Sequence, residues 1–358
     1  MLRTFQHNHQ QTQSLRNAEM VQAVIQAHRQ IQQLEAIRLR ERPCGEFSEI
    51  VSIKVAVNYG NYKNRLGAYH APMHTFLDFT FLRTLPIAQV RNGFAELIKI
   101  SSCSHLEVFE LLDKHCEDLI ENKFGRADGS SAELRRAADI INREGIYEML
   151  RLESPNLHEI GLDRVIAYGH TWSPLHELIP ETPLRHGHAI SIDMAYSATL
   201  ANQRGFLSDA EHLRLLTLFS RAGLSIDHPQ FDNDVLEKGT TAILKTRDGM
   251  LRLALPNPLG KCTFLNDYTP EELRDALRKH KEICQQFPRE GAGLEAYVDA
   301  SDTGYTDNEA SGTTVEETVE NTPVATKAGV NELQGTEKLA ERVQVHINQL
   351  NGFTNGVH

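Results

Sequence analysis

Apolar residues recur at three- and four-residue spacing over 87–101, 104–120, 131–152, 188–204, 208–222, 233–245 and 270–286, and each stretch predicts a helix. Period-two alternation is scarce. It predicts a strand pair around Ile53–Asn58 and His74–Phe79, and a short second pair, Met250–Leu255 with Lys261–Leu265, joined by a Pro-Asn-Pro-Leu-Gly run with turn chemistry. The pattern therefore predicts a compact, mostly helical core between about 51 and 288.

The flanks follow other rules. Residues 1–50 hold nine glutamines, and the Ala/Gln/Leu/Arg-rich run from Asn17 to Arg42 reads as one long polar helix with a thin apolar stripe. Residues 299–358 are rich in Thr, Glu, Asp, Gly and Ser and poor in aromatics, so they lack the apolar surface needed to offset ordering entropy and are expected to be disordered. Within them Leu339, Val343, Val345, Ile347 and Leu350 leave room for a short amphipathic helix. This tail has ten acidic and three basic side chains, and so supplies most of the net charge of -11 on the 358-residue chain. An acidic chain argues against nucleic-acid binding through a basic face. With no apolar run near the roughly 18 residues that span a bilayer, a cytoplasmic protein acting on a small molecule is expected. Five cysteines without a CxxC spacing suit reduced, buried thiols better than a disulfide framework or a zinc ribbon.

The densest chemistry lies in Gly-His-Thr-Trp-Ser-Pro-Leu-His-Glu-Leu-Ile-Pro-Glu-Thr-Pro-Leu-Arg-His-Gly-His-Ala, residues 169–189. His170 and His186 each adjoin a glycine, which allows close approach of backbone and ligand. Imidazole suits zinc, and a third ligand from a distant carboxylate would leave the open position that catalytic zinc sites keep. Glu96 is a candidate for that carboxylate. Lys99 shares its helical face at i, i+3, although the same spacing also describes an ordinary surface ion pair. His176 and His188 lie in the same stretch, and spacing alone does not select two of the four histidines. A second cluster, Lys54, Lys63, Asn64 and Arg65, places cations and an amide around a glycine-containing turn, suited to phosphate or sugar hydroxyls, or else to a solvated hairpin tip. No GxGxxG or Walker A glycine pattern occurs.

On the runs GHTWSP, RHGHAISIDMAYSATLA, NYGNYKNRLGAYHAP and LPNPLGKCTFLND, the chain from about Val51 to Val298 resembles the sugar phosphate cyclases, the superfamily of 3-dehydroquinate synthase. The resemblance implies a mainly α (α+β) protein. A dehydroquinate synthase-like helical domain at 87–298 would bind metal and substrate, and 51–86 would be a remnant of an N-terminal Rossmann-like NAD-binding domain. It further implies Zn2+ or Co2+ held by Glu96, His170 and His186, with NAD+ in the complete family enzyme. Lys99 and Lys54 fall at catalytic positions, Asn64 and Lys63 at substrate positions, and Thr84 where the family contacts NAD+. The partner would be a sugar phosphate, and a homodimer is an open option.

Pro174 stands where dehydroquinate synthases carry a further histidine. Ala167 and Thr246 stand where valiolone-type members carry Asp and His. Both resemble the branch that converts sedoheptulose 7-phosphate to desmethyl-4-deoxygadusol for mycosporine sunscreens; dehydroquinate and 2-epi-5-epi-valiolone synthesis are the alternatives. The departures are also specific. Ser48 replaces a family aspartate, the glycine-rich pyrophosphate loop has no counterpart, Met149 stands near a dehydroquinate synthase lysine and Arg164 is one place off the expected arginine. A parallel nucleotide-binding sheet cannot be rebuilt from a 50-residue Gln-rich helix. The chain is therefore expected to be inactive on its own, and a non-catalytic zinc-binding or interaction protein is the rival expectation.

Overall fold

A computed structural model describes residues 75 and 77–299 in full, and the backbone of 54–59 and 62–69. All belong to a single compact unit of the chain. The expectations for 1–50, for the acidic tail beyond Asp299 and for Glu337–Leu350 lie outside the described residues.

The described chain opens with an antiparallel hairpin, β1 (Lys54–Tyr59) and β2 (Tyr62–Tyr69), in which Tyr59 pairs with Tyr62 and Lys54 with Tyr69. This corrects the expected partner strand at 74–79. Only Gly60 and Asn61 separate the strands in sequence, a hairpin signal that the polar Lys63-Asn64-Arg65 run obscured. The segment Phe79–Thr84 is instead a 3-10 turn, begun by Asp78, whose carboxylate accepts the Thr80 N–H.

Helices follow: α1 (Ile87–Ser104), α2 (Leu106–Lys114), α3 (Cys116–Glu121) and α4 (Ala132–Glu153). The single helix expected over 104–120 is two, broken at His115. Lys114 closes the last turn of α2 while Glu117 and Asp118 open the first turn of α3, so the charges complement two helix dipoles rather than one. Next come the four-residue α5 (Ser173–His176), then α6 (His186–Gln203), α7 (Asp209–Arg221) and α8 (Asn233–Thr246). A second antiparallel pair, β3 (Leu253–Pro256) with β4 (Cys262–Leu265), precedes α9 (Pro270–Cys284). Their starts follow from local chemistry: Ser208 with Glu211 and Thr269 with Glu272 close capping boxes on α7 and α9, and Asp232 caps α8.

Helix α6 is the axle of the fold. It is buried from Gly187 to Ala201 and packs against α1, α5, α7 and α9. Helix α1 is also buried, from Asn92 through Cys103, and packs against α6.

Candidate metal centre

Glu96 and Lys99 come from α1 and His186 is the first residue of α6. The two helices meet closely because residue 187 is glycine. A Cβ there would lie 2.6 Å from Asn92 Oδ1, 2.7 Å from Asn92 Cα and 2.9 Å from its carbonyl oxygen. Without it, the Gly187 N–H donates to Asn92 Oδ1 at 2.6 Å, fixing the start of α6 one turn from Glu96.

His170 comes from the loop before α5. Gly169 takes φ +75°, where a Cβ would fall 2.6 Å from Met194 Cγ, so the chain turns flat against α6 just before the ligand. Asp193 pins that loop. Its Oδ2 accepts the backbone N–H groups of Thr171, Trp172 and Ser173 at 2.9, 2.6 and 2.8 Å, and Ser197 donates to Oδ1 at 3.3 Å. Burial pushes the Asp193 carboxyl up to about 6, against the pull of these donors. Two turns apart on one helix, Asp193 and His186 thus hold His170 and its partner in register.

The ligand atoms of Glu96, His170 and His186 all lie within 4.8 Å of one another. That separation lets one ion share all three through bonds of about 2.0–2.2 Å after small side-chain rotations. The rings of His170 and His186 meet edge-to-face with centroids 5.2 Å apart. His170 Nδ1 faces the Tyr168 carbonyl at 3.2 Å, so it is the protonated nitrogen and Nε2 keeps a lone pair. Burial, reinforced by the Lys99 ammonium, holds the His170 imidazole well below its usual pKa, in the neutral form a metal requires.

His186 stands between two carboxylates, Nδ1 at 2.9 Å from Glu177 Oε2 and Nε2 at 3.1 Å from Glu96 Oε1. Glu177 can hold the proton on Nδ1 while Nε2 faces Glu96 and the site. This is the carboxylate–histidine arrangement that orients metal ligands.

Lys99 and Glu96 are each only 2% exposed, and Nζ stands 2.6 Å from Oε2 as an ion pair outside hydrogen-bond alignment. The surface-pair reading of this spacing therefore does not apply. Burial raises the Glu96 carboxyl, but Lys99 and the two histidines outweigh it and hold the group well below the carboxylate range. The donor set, its closeness and its protonation fit a zinc-type ion.

The other histidines of the motif serve the core. His176 faces His228 at 3.2 Å and meets Phe231 edge-to-face, and His188 meets the Ser225 hydroxyl at 3.0 Å; burial holds both at about 3. Ala167 is buried in the turn before His170, and its carbonyl accepts the His170 N–H at 3.0 Å. Thr246 ends α8 exposed, its hydroxyl bound to the Ala242 and Ile243 carbonyls of its own helix at 3.1 Å. Its neighbour Arg247 is the buried residue there and reaches the His170 carbonyl at 3.5 Å. Thr84 is exposed at the end of its 3-10 turn, bonded to the Phe81 carbonyl. Lys54 lies on β1, and Lys63 and Asn64 on β2 rather than in the turn between them.

Glu177, Asp193, Asn92 and Arg247 were missed from sequence. Asp193 alone left a clear trace, a single carboxylate in the apolar run Ala-Ile-Ser-Ile-Asp-Met-Ala.

Residues 93–244 match the family model of the 3-dehydroquinate synthase C-terminal domain. Among characterised proteins, the chain is 54% identical over 261 residues to demethyl-4-deoxygadusol synthase of Trichormus variabilis, covering 73% of this chain and 63% of that one. It is 39% identical over 233 residues to 2-epi-5-epi-valiolone synthase of Streptomyces albus, covering 65% of this chain and 56% of that one. The chain thus spans less than two thirds of the length of these relatives. The structure of 2-epi-5-epi-valiolone synthase from Streptomyces hygroscopicus subsp. jinggangensis, with NAD+ and Zn2+ bound, aligns with a TM-score of 0.61 at 34% identity over 67% of this chain and 65% of that one. A 2-deoxy-scyllo-inosose synthase bound to carbaglucose-6-phosphate, NAD+ and Co2+ shares the fold, with a TM-score of 0.52 at 21% identity over 66% of this chain and 64% of that one.

Proposed function

We propose that this chain carries the metal- and substrate-binding half of a sugar phosphate cyclase that turns sedoheptulose 7-phosphate into desmethyl-4-deoxygadusol, a cytoplasmic step toward mycosporine-type products. In this reading 87–298 is the catalytic helical domain and 51–86 the remnant of the NAD-binding one. The observation that carries it is the buried Glu96–Lys99 pair converging with His170 and with a His186 whose second nitrogen is held by Glu177.

Glu96, His170 and His186 would hold Zn2+ or Co2+, which when bound would polarise a substrate hydroxyl and ease its loss of a proton. The chain's own residues do the rest. The Lys99 ammonium, too buried to be hydrated, offers its protons to a substrate oxygen beside Glu96. Lys54, Lys63 and Asn64 are the candidates for the phosphate and hydroxyls, and Thr84 for NAD+. Pro174 leaves no imidazole on the face of α5 where a dehydroquinate synthase would have one. Ala167, small and uncharged in the turn that presents His170, leaves the substrate there without an acid–base partner. That favours running on to loss of water over retention of the hydroxyl.

Among the described residues both sheets are two-stranded and antiparallel. None supplies the parallel sheet and glycine-rich loop that cradle a dinucleotide.

The test is to join the N-terminal segment of the Trichormus variabilis relative to this chain at Val51, load zinc and supply sedoheptulose 7-phosphate with NAD+. A conjugated, ultraviolet-absorbing product is expected. Formation of the non-absorbing valiolone would refute the branch. A hybrid that binds zinc and NAD+ yet turns over nothing would favour the non-catalytic reading.

A further inference from the structure

Arg185 is an anomalous residue at its position. It is the N-cap of α6, where Ser, Thr, Asp or Asn normally accepts a helix N–H, and a guanidinium has no acceptor to offer. Its charge also has the wrong sign for a helix N-terminus. Yet the side chain is only 1% exposed, and it immediately precedes His186.

Its partners explain the burial. The segment 293–299 crosses the loop before α6, with an antiparallel bridge between Leu184 and Tyr297. The Arg185 N–H donates to the Ala296 carbonyl at 2.8 Å, the Val298 N–H donates to the Pro183 carbonyl at 3.0 Å, and Arg185 Nη1 donates to the Glu295 carbonyl at 2.5 Å. Nη2 pairs with Asp299 at 2.7 Å. The Glu295 carboxylate turns the other way and pairs with Arg91 of α1. Glu295 does this at φ +53°, the left-handed region that a residue with a Cβ occupies only when its surroundings require it. Farther up the segment, Gly293 N–H donates to Ser225 Oγ at 3.0 Å and Leu294 N–H to the Gly223 carbonyl at 2.7 Å, anchoring it at its other end.

One residue, Glu295, therefore ties together the two helices that carry Glu96 and His186. We propose that residues 293–299 form a strap that sets the position of His186 relative to Glu96, with Arg185, Glu295 and Asp299 as its positioning residues, so that docking of the strap and capture of the metal are coupled. This rests on the metal-site reading above. The coupling works because a helix's first residue takes its direction from the backbone that enters it, and here that backbone is held by the strap on one side and by Asn92 on the other.

The test uses the full chain and two readouts, zinc affinity by chelator competition and the visible absorption of bound Co2+. Asp299→Asn and Glu295→Gln alter exposed carboxylates and leave the core intact, while Arg185→Gln removes the buried guanidinium. His186→Ala is the reference for a lost ligand. The strap predicts that all three variants weaken zinc binding about tenfold or more, as outer-sphere changes do, and that their Co2+ bands lose intensity or shift while circular dichroism stays native. If Arg185→Gln fails to fold, the two carboxylate variants decide. His186→Ala abolishing zinc binding while Asp299→Asn and Glu295→Gln keep wild-type affinity and spectrum would overturn the strap and leave the metal site standing. His186→Ala binding zinc as tightly as wild type would instead overturn the metal site itself.

Discussion

Replacing Gly187 with alanine tests whether the approach of α1 and α6 builds the metal centre. In an unconstrained helix the change would stabilise by about 1 kcal/mol, because alanine is the better helix former. Here the new Cβ meets Asn92 at three atoms between 2.6 and 2.9 Å, and two of them, Cα and the carbonyl oxygen, are backbone. Overpacking of that kind costs about 1–3 kcal/mol, and the hydrogen bond from Gly187 N–H to Asn92 Oδ1 is strained with it, at about 1 kcal/mol more. The net expectation is a destabilisation of roughly 1–3 kcal/mol, or about 2–10 °C in Tm for a domain of this size. Zinc affinity should fall further than stability does, because the only relief is to separate the helices that carry Glu96 and His186. Thermal unfolding by circular dichroism and chelator competition read the two effects separately. Adding Asn92→Ala removes Oδ1 but leaves the backbone atoms in place, so the double variant should not recover. A Gly187→Ala protein with raised Tm and unchanged zinc affinity, or full rescue by Asn92→Ala, would refute the reasoning.

Three further outcomes are expected. Glu177→Gln keeps the shape of the side chain but removes the carboxylate that holds His186 Nδ1–H, and should weaken zinc binding about 10–100-fold with little change in Tm; unchanged affinity would show that Glu177 does not orient the ring. Asp193 has a folded-state pKa pushed up to about 6 against an unfolded value near 3.9, so from about pH 4 to 6 the native state keeps a proton that the unfolded chain has lost. The stability it contributes should fall by about 3 kcal/mol as pH rises through that window and then level off, and the wild-type minus Asp193→Asn difference in denaturant unfolding isolates it; a difference that grows with pH would mean the backbone donors outweigh burial. The chain alone should bind NAD+ only weakly, since its sequence holds no GxGxxG pattern and the described residues form no pyrophosphate loop; micromolar affinity by calorimetry would contradict this.

The helical core was legible because α4, α7, α8 and α9 each present an apolar stripe and begin with a recognisable cap, as Ser208-x-x-Glu211 and Thr269-x-x-Glu272 do. The start of α6 was set two residues late, at His188, and the reason bears on the site. Gly187 lowers helix propensity, so a reading of local preference stops short of it. Its value lies in what stands opposite, Asn92, ninety-five residues away.

The same holds for the choice among four histidines. His170, His176, His186 and His188 look alike in sequence, and they differ only in what faces them: a neighbouring ligand set for two of them, and His228 or Ser225 for the others. Family resemblance supplied the selection that spacing could not. Arg185 shows the limit most sharply. Beside His186 it reads as a soluble charge next to a ligand, and its burial becomes intelligible only once the carbonyl of Glu295 and the carboxylate of Asp299 are brought more than a hundred residues back along the chain to meet it. A site assembled from such distant contacts is written into the sequence as residues that violate a local rule: a glycine inside a helix, an aspartate in an apolar run, an arginine at an N-cap. Each of the three is explained by a partner across the fold, and all three lie within nine residues of one another around His186.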